Sequence, residues 1–314
     1  MTEYYERPQP KPSKELFYLI LFWLGGTIAS VLVSLIIWLI MTGQSILSMQ
    51  TDLLKPENLN AFMMIQVVST IFMFFIPAYM AANLRRGKPM QELGFQSSFK
   101  ARRVFISVAI MLSVLPLVGF LAEVNKWIPI APSLKKIFDS MESDYMEQIK
   151  KIAVFKSPLD YVIALLVIAL TPALVEETFF RGSMQQIFRR WFVHPWLVIT
   201  ITSFIFSAIH FSWYGFLPRV ALGMMLGGIF YYTGNLWYSI AAHFFNNALM
   251  VTVLYGQTLK GKPIDTEVGD SAPWWAGLAS LILVFYLFKH LRDISTTKVV
   301  EDSIAVTEDP NTSA

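Results

Sequence analysis

Residues 159–190 read LDYVIALLVIALTPALVEETFFRGSMQQIFRR, an apolar run that carries two adjacent carboxylates, Glu176 and Glu177, and a guanidinium, Arg181. A run of this length reads as a membrane span, and charge inside one is costly enough to need a reason. Working outward, further apolar blocks cover 16–41, 61–84, 104–122, 196–211, 216–232, 236–255 and 273–288. The expected fold class is all-α and integral to the membrane, a bundle of about eight transmembrane helices with a polar intramembrane cavity. Composition points the same way. The chain is 55% hydrophobic and 15% charged, against roughly 45–50% and about 25% for a soluble domain, which argues against a water-soluble globule. Several later blocks fall short of the ~20 residues of a perpendicular span, so their flanking turns are expected to be partly buried or the helices to stop short. Block 16–41 is longer than a signal-peptide core and has no small-residue cleavage site behind it, so it reads as a retained span.

With no cysteine, the 314 residues exclude disulfides, thiol nucleophiles and thiolate metal sites. A net charge of +3 gives no reason to expect a nucleic-acid partner, and the basic residues sit at the edges of apolar blocks. The second connection holds Arg85, Arg86, Lys88, Lys100, Arg102 and Arg103, while the first holds Lys55. The positive-inside rule therefore places the second connection and both termini in the cytoplasm, with the inner membrane of a prokaryote the expected location. Lys135, Lys136, Lys150 and Lys151 in the long third connection run against this, although long loops weigh less in the rule. Along the chain the expected divisions are an N-terminal tail (1–15), N-terminal spans with a long connection (16–155), a core that carries charge inside its spans (156–256), and a last span with a polar tail (257–314). In the long connection Leu134, Ile137, Phe138, Met141, Tyr145, Ile149 and Ile152 recur at helical spacing, which predicts an amphipathic helix at the interface.

Ionisable side chains in apolar spans are functional candidates. They are Glu176, Glu177 and Arg181, then His210 in FSAIHF, then His243 with Asn247 in AAHFFNNA. His194 and His290 lie at span ends and are weaker candidates. If the span carrying Glu176 turns near Val193, Glu176 and His210 lie equally far from that turn, so an antiparallel hairpin brings them to one depth. His243 and Asn247 are four apart and share a helix face, as do Phe206 and His210. Adjacent Glu176 and Glu177 point about 100° apart and should differ in role. Glu177 and Arg181 have ion-pair spacing, which leaves Glu176 for chemistry. Glu176 with His210 can activate a water, while His243 and Asn247 can donate hydrogen bonds to an oxyanion, a set suited to hydrolysing a carbonyl. Glu176, His210 and His243 also match the ligand count of a catalytic zinc site, but no His-Glu-x-x-His motif supports Zn2+, so the cofactor-free arrangement is preferred.

These three motifs, Glu176-Glu177-x-x-x-Arg181, Phe206-x-x-x-His210 and His243-x-x-x-Asn247, resemble in order those of the CAAX-protease and bacteriocin-processing (CPBP, Abi) intramembrane proteases, which include the prenyl-protein endopeptidases. The likeness spans roughly 159–251, and Phe180-Arg181-Gly182 and Thr233-Gly234-Asn235-Leu236-Trp237 resemble the family's usual context. The resemblance implies an eight-helix bundle, a conical cavity open to the cytoplasmic side and proteolysis near the membrane. It assigns water activation to Glu176 and His210 and the oxyanion site to His243 and Asn247. Family names often say metalloprotease, so the resemblance carries both cofactor readings. The implied partners are membrane lipid and a hydrophobic or lipidated peptide. Buried Glu and His chains also serve proton-coupled transporters, although the chain lacks the paired repeats of many transporter folds. A non-catalytic scaffold or immunity protein is the third reading.

Overall fold

The computed structural model describes residues 10–152, 155–262 and 272–307. Each apolar block lies in a helix, and the described residues contain no strand. The helices are α1 (Pro12–Thr42), α2 (Pro56–Ala82), α3 (Ala101–Trp127), α4 (Pro132–Ile152), α5 (Pro158–Arg189), α6 (Pro195–Ala208), α7 (Phe216–Thr233), α8 (Leu236–Leu259) and α9 (Trp274–Thr307). Among the described residues five are long and apolar enough to cross a membrane: α1, α2, α3, α5 and the Trp274–Ser295 part of α9. Helix α6 is shorter, and α7 and α8 carry Arg219, His243, Asn246 and Asn247 in their apolar runs. The chain is an all-α, multi-pass membrane protein. Most of the expected N-terminal tail lies outside the described residues, whereas α9 continues into the polar C-terminal segment, which holds no Pro or Gly as far as Thr307.

Local chemistry sets the ends. Proline opens α1, α2, α4, α5 and α6, where its missing N–H costs nothing and its fixed φ suits a helix start. A capping box between Ser157 and Asp160 supports the start of α5. Gly43 (φ 66°) and Gly234 (φ 62°) close α1 and α7 in the left-handed conformation. Two long helices widen into π turns just before a proline: Ile71–Phe75 before Pro77 and Leu165–Leu170 before Pro172. The wider turn relieves the clash of the ring with the preceding carbonyls. Thr171 Oγ1 then donates to the Leu166 carbonyl at 2.8 Å.

Two apolar clusters flank a polar seam. One packs Leu19, Phe74, Ala78, Phe179, Phe180, Ile187, Val198 and Phe206 from α1, α2, α5 and α6. The other packs Ile106, Ile110, Leu226, Ile229, Tyr238, Val284 and Phe288 from α3, α7, α8 and α9. At one end of the bundle the buried Glu15 pairs with Arg85 at 2.6 Å and with Arg190, tying the start of α1 to the ends of α2 and α5. Helix α1 approaches the π turn of α2 so closely that a Cβ on Gly26 would stand 2.3 Å from the Phe72 carbonyl oxygen, while one on Gly25 would meet nothing within 4 Å. Gly26→Ala is therefore expected to destabilise the protein by about 1–3 kcal/mol, with Gly25→Ala near neutral or slightly stabilising, read as unfolding midpoints in detergent. Equal midpoints would remove this account of the α1–α2 contact.

The long connection forms α4, as its periodicity predicts. Leu134, Ile137 and Met141 are partly exposed, while Phe138, Asp139 and Glu142 face the segment that follows α6.

Candidate active site

Helix α5 carries Glu176, Glu177 and Arg181. Both side chains of the Glu177–Arg181 pair are wholly buried, and Arg181 Nη1 donates to Glu177 Oε1 at 2.7 Å. The guanidinium also donates from Nη2 to the Gly223 carbonyl on α7 at 3.0 Å and lies 4.7 Å over the Phe206 ring of α6. Three helices thus meet on one planar cation, which suits arginine's several donors and flat faces. One turn further, Gln185 Nε2 donates to the Gly227 carbonyl at 3.0 Å. A Cβ on Gly227 would stand 2.9 Å from Gln185 Oε1, so glycine is what permits that approach.

His243, from α8, completes the seam. Its Nδ1 lies 3.0 Å from Glu177 Oε1, and its Nε2 lies 3.9 Å from Glu176 Oε2. A carboxylate only accepts, so Nδ1 carries the proton in that contact, and donation from Nε2 as well requires the imidazolium form. The roughly 100° between neighbouring helix positions separates the two carboxylates. Glu177 is sealed in the seam, whereas the Glu176 side chain stays 14% exposed beside the imidazole.

His210 lies beside Phe206, as the spacing predicts, but in the turn just past the end of α6, where the helix tightens: the His210 N–H bonds to the Ser207 carbonyl and not to that of Phe206. The Phe206 carbonyl so released accepts from the His210 ring, 2.7 Å from Nδ1. This fixes the neutral tautomer, with the lone pair on Nε2. The two rings lie 4.8 Å apart, edge to face. Phe211 next to it has φ 51°, a left-handed conformation that costs an L residue roughly 1–2 kcal/mol. Glu176 and His210 share no direct hydrogen bond, but Glu176 and His243 both lie within electrostatic range of His210.

Asn247 is partly buried, and its Oδ1 accepts from Asn246 Nδ2 at 3.4 Å, leaving its own Nδ2 without a partner among the described residues. Arg219 on α7 is a further member that spacing arguments pass over. It interacts electrostatically with Glu176 and His210 and donates to the Ser212 carbonyl at 3.3 Å. It lies inside an apolar block, so the criterion that selects Glu176 also points to it. For a zinc ion, the described residues bring together no group of three His, Asp or Glu side chains with ligand geometry.

A buried carboxylate–guanidinium pair, a second carboxylate and an imidazole between apolar helices define an integral-membrane protein with an ionisable site inside the bundle. Residues 158–249 match the family described as type II CAAX prenyl endopeptidase Rce1-like. The match agrees with the family that the motifs resemble, a family of proteases by its description. It contains Glu176, Glu177, Arg181, Phe206, His210, Arg219, His243 and Asn247. No curated protein and no solved structure matches the chain.

Proposed function

We propose that the protein is a glutamate-type intramembrane endopeptidase acting on a hydrophobic or lipidated peptide. The observation that carries this reading is Glu176 Oε2 standing 3.9 Å from His243 Nε2, beside the sealed Glu177–Arg181 pair. That gap is too long for a direct hydrogen bond and suits a shared water. Glu176 takes a proton from the hydrolytic water, and His210 Nε2 accepts the water's other hydrogen and orients it. The resulting hydroxide adds to the peptide carbonyl. His243 Nε2, with Nδ1 held against Glu177, and Asn247 Nδ2 donate to the oxyanion. Collapse of the adduct breaks the C–N bond as the proton held by Glu176 passes to the leaving amine. Glu177 and Arg181 act by holding His243 in place.

An apolar cavity of ≈ 150 Å³ supports the substrate class. Pro172, one turn before Glu176, and Met250 and Val251, one turn after Asn247, line it together with Tyr145 and Ile149 of α4. It suits an apolar side chain or the end of a lipid chain. In this reading both termini are cytoplasmic, as the basic second connection favours.

The test is cleavage of a panel of hydrophobic and prenylated peptides by the purified chain, with and without chelator. Release of product that chelator leaves unchanged supports the proposal. Loss restored by zinc moves the chemistry to a metal, and absence of cleavage throughout the panel favours the transport or scaffold readings. Asn247→Ala is expected to lower kcat by about 10²–10³-fold with KM changed far less, the signature of a donor used in the transition state. An unchanged kcat would remove Asn247 from the oxyanion site.

A further inference from the structure

We propose that α4 is a clamp that holds the His210 turn in its strained conformation, with Phe138, Asp139 and Glu142 as positioning residues for the reaction; this rests on the role of His210 proposed above. Three consecutive side chains after Phe211 reach α4. Ser212 Oγ donates to Glu142 Oε2 at 3.0 Å, the Trp213 ring stacks on Phe138 at 5.4 Å with planes 10° apart, and Tyr214 OH donates to Asp139 Oδ1. Lys135, 2.8 Å from Asp139 Oδ2, braces that carboxylate from within α4. Hydrogen bonds to Lys135 and Tyr214 hold the Asp139 carboxyl below its usual range, so this contact stays charged through neutral pH.

The far side of the turn is fixed as well. Buried Asn125, near the end of α3, donates to the Trp213 carbonyl at 2.8 Å and accepts from the Leu217 N–H at 3.1 Å. These contacts hold the segment that directly follows Phe211, the one non-glycine residue of positive φ among the described residues. Its bulky side chain disfavours that conformation, so tertiary contacts must maintain it. Because the turn begins at His210, releasing it from α4 lets the imidazole leave the place in which the proposed reaction uses its Nε2.

The test combines amide exchange over 211–217 with steady-state kinetics on the full chain reconstituted in bilayers. Glu142→Ala and Phe138→Ala are expected to raise exchange in that segment and to lower kcat about tenfold, the change that strain of this size corresponds to, with KM within about twofold. Glu142→Gln keeps an acceptor for Ser212 and should stay near the native values. Phe211→Gly, which adopts positive φ without strain, should restore most of the kcat lost in Glu142→Ala. Exchange that stays native in both Glu142→Ala and Phe138→Ala overturns the clamp, as does a kcat loss that Phe211→Gly leaves untouched. Raised exchange in a protein that cleaves no peptide in any form keeps the clamp and overturns the protease reading instead.

Discussion

Glu176→Gln is expected to lower the rate of peptide cleavage by about 10²–10⁴-fold while leaving the protein folded and its unfolding midpoint close to native. The amide has the same shape but no basic oxygen, so it can hold the water without taking its proton. The side chain is partly exposed and meets His243 at 3.9 Å, outside hydrogen-bond range, so the packing around it survives the change. Single-turnover cleavage and thermal unfolding on the same preparation separate the two effects. Full activity in the variant would sink the assignment of Glu176 as base, and unfolding would show that it serves structure.

Glu177→Ala should behave in the opposite way, with collapse of stability and loss of activity together. Removing this carboxylate leaves the wholly buried Arg181 guanidinium without its counter-charge, at a cost of about 3–5 kcal/mol. His243 loses its Nδ1 partner in the same step. Replacing both members, Glu177→Met with Arg181→Met, is expected to recover much of the stability, because a well-packed apolar pair avoids burying charge. It should not recover cleavage, since nothing then orients His243. Arg181→Lys is a poor substitute, as one ammonium cannot span Glu177 and the Gly223 carbonyl while lying flat on Phe206. Native stability in Glu177→Ala, measured as an unfolding midpoint in detergent, would contradict this account.

The parts of the site that obey local geometry are the parts legible in the sequence. Glu177 and Arg181 pair because a helix places i and i+4 side by side, whatever surrounds it. The apolar blocks became helices for a similar reason: a backbone in lipid must satisfy its own hydrogen bonds. What the sequence does not disclose depends on neighbouring helices. The Gly223 carbonyl meets Arg181 across 42 positions, and His243 meets Glu177 across 66. A spacing argument on one helix cannot choose between Glu176 and Glu177 as the nearer partner of His243. His210 does lie beside Phe206, as the spacing predicts, but the tightening at the end of α6 that leaves the Phe206 carbonyl to its ring is not written in that spacing. The left-handed Phe211 could not be read from a residue type that rarely takes that conformation.

The arrangement of charge on α5 also bears on how the chain is built into a bilayer. A lone acid or base at the centre of a helix resists insertion by about 2.5–3.5 kcal/mol on translocon scales. Glu177 and Arg181 neutralise each other on one helix, so α5 can enter lipid with Glu176 as its one uncompensated charge near them before α6, α7 and α8 have been made. The polar atoms of that pair then act as a docking key for the segments synthesised after it: first the Phe206 ring, then the Gly223 carbonyl, and last the His243 imidazole. The polar seam closes only when the last of these helices arrives, so a chain truncated before α8 lacks the contact between His243 and Glu177.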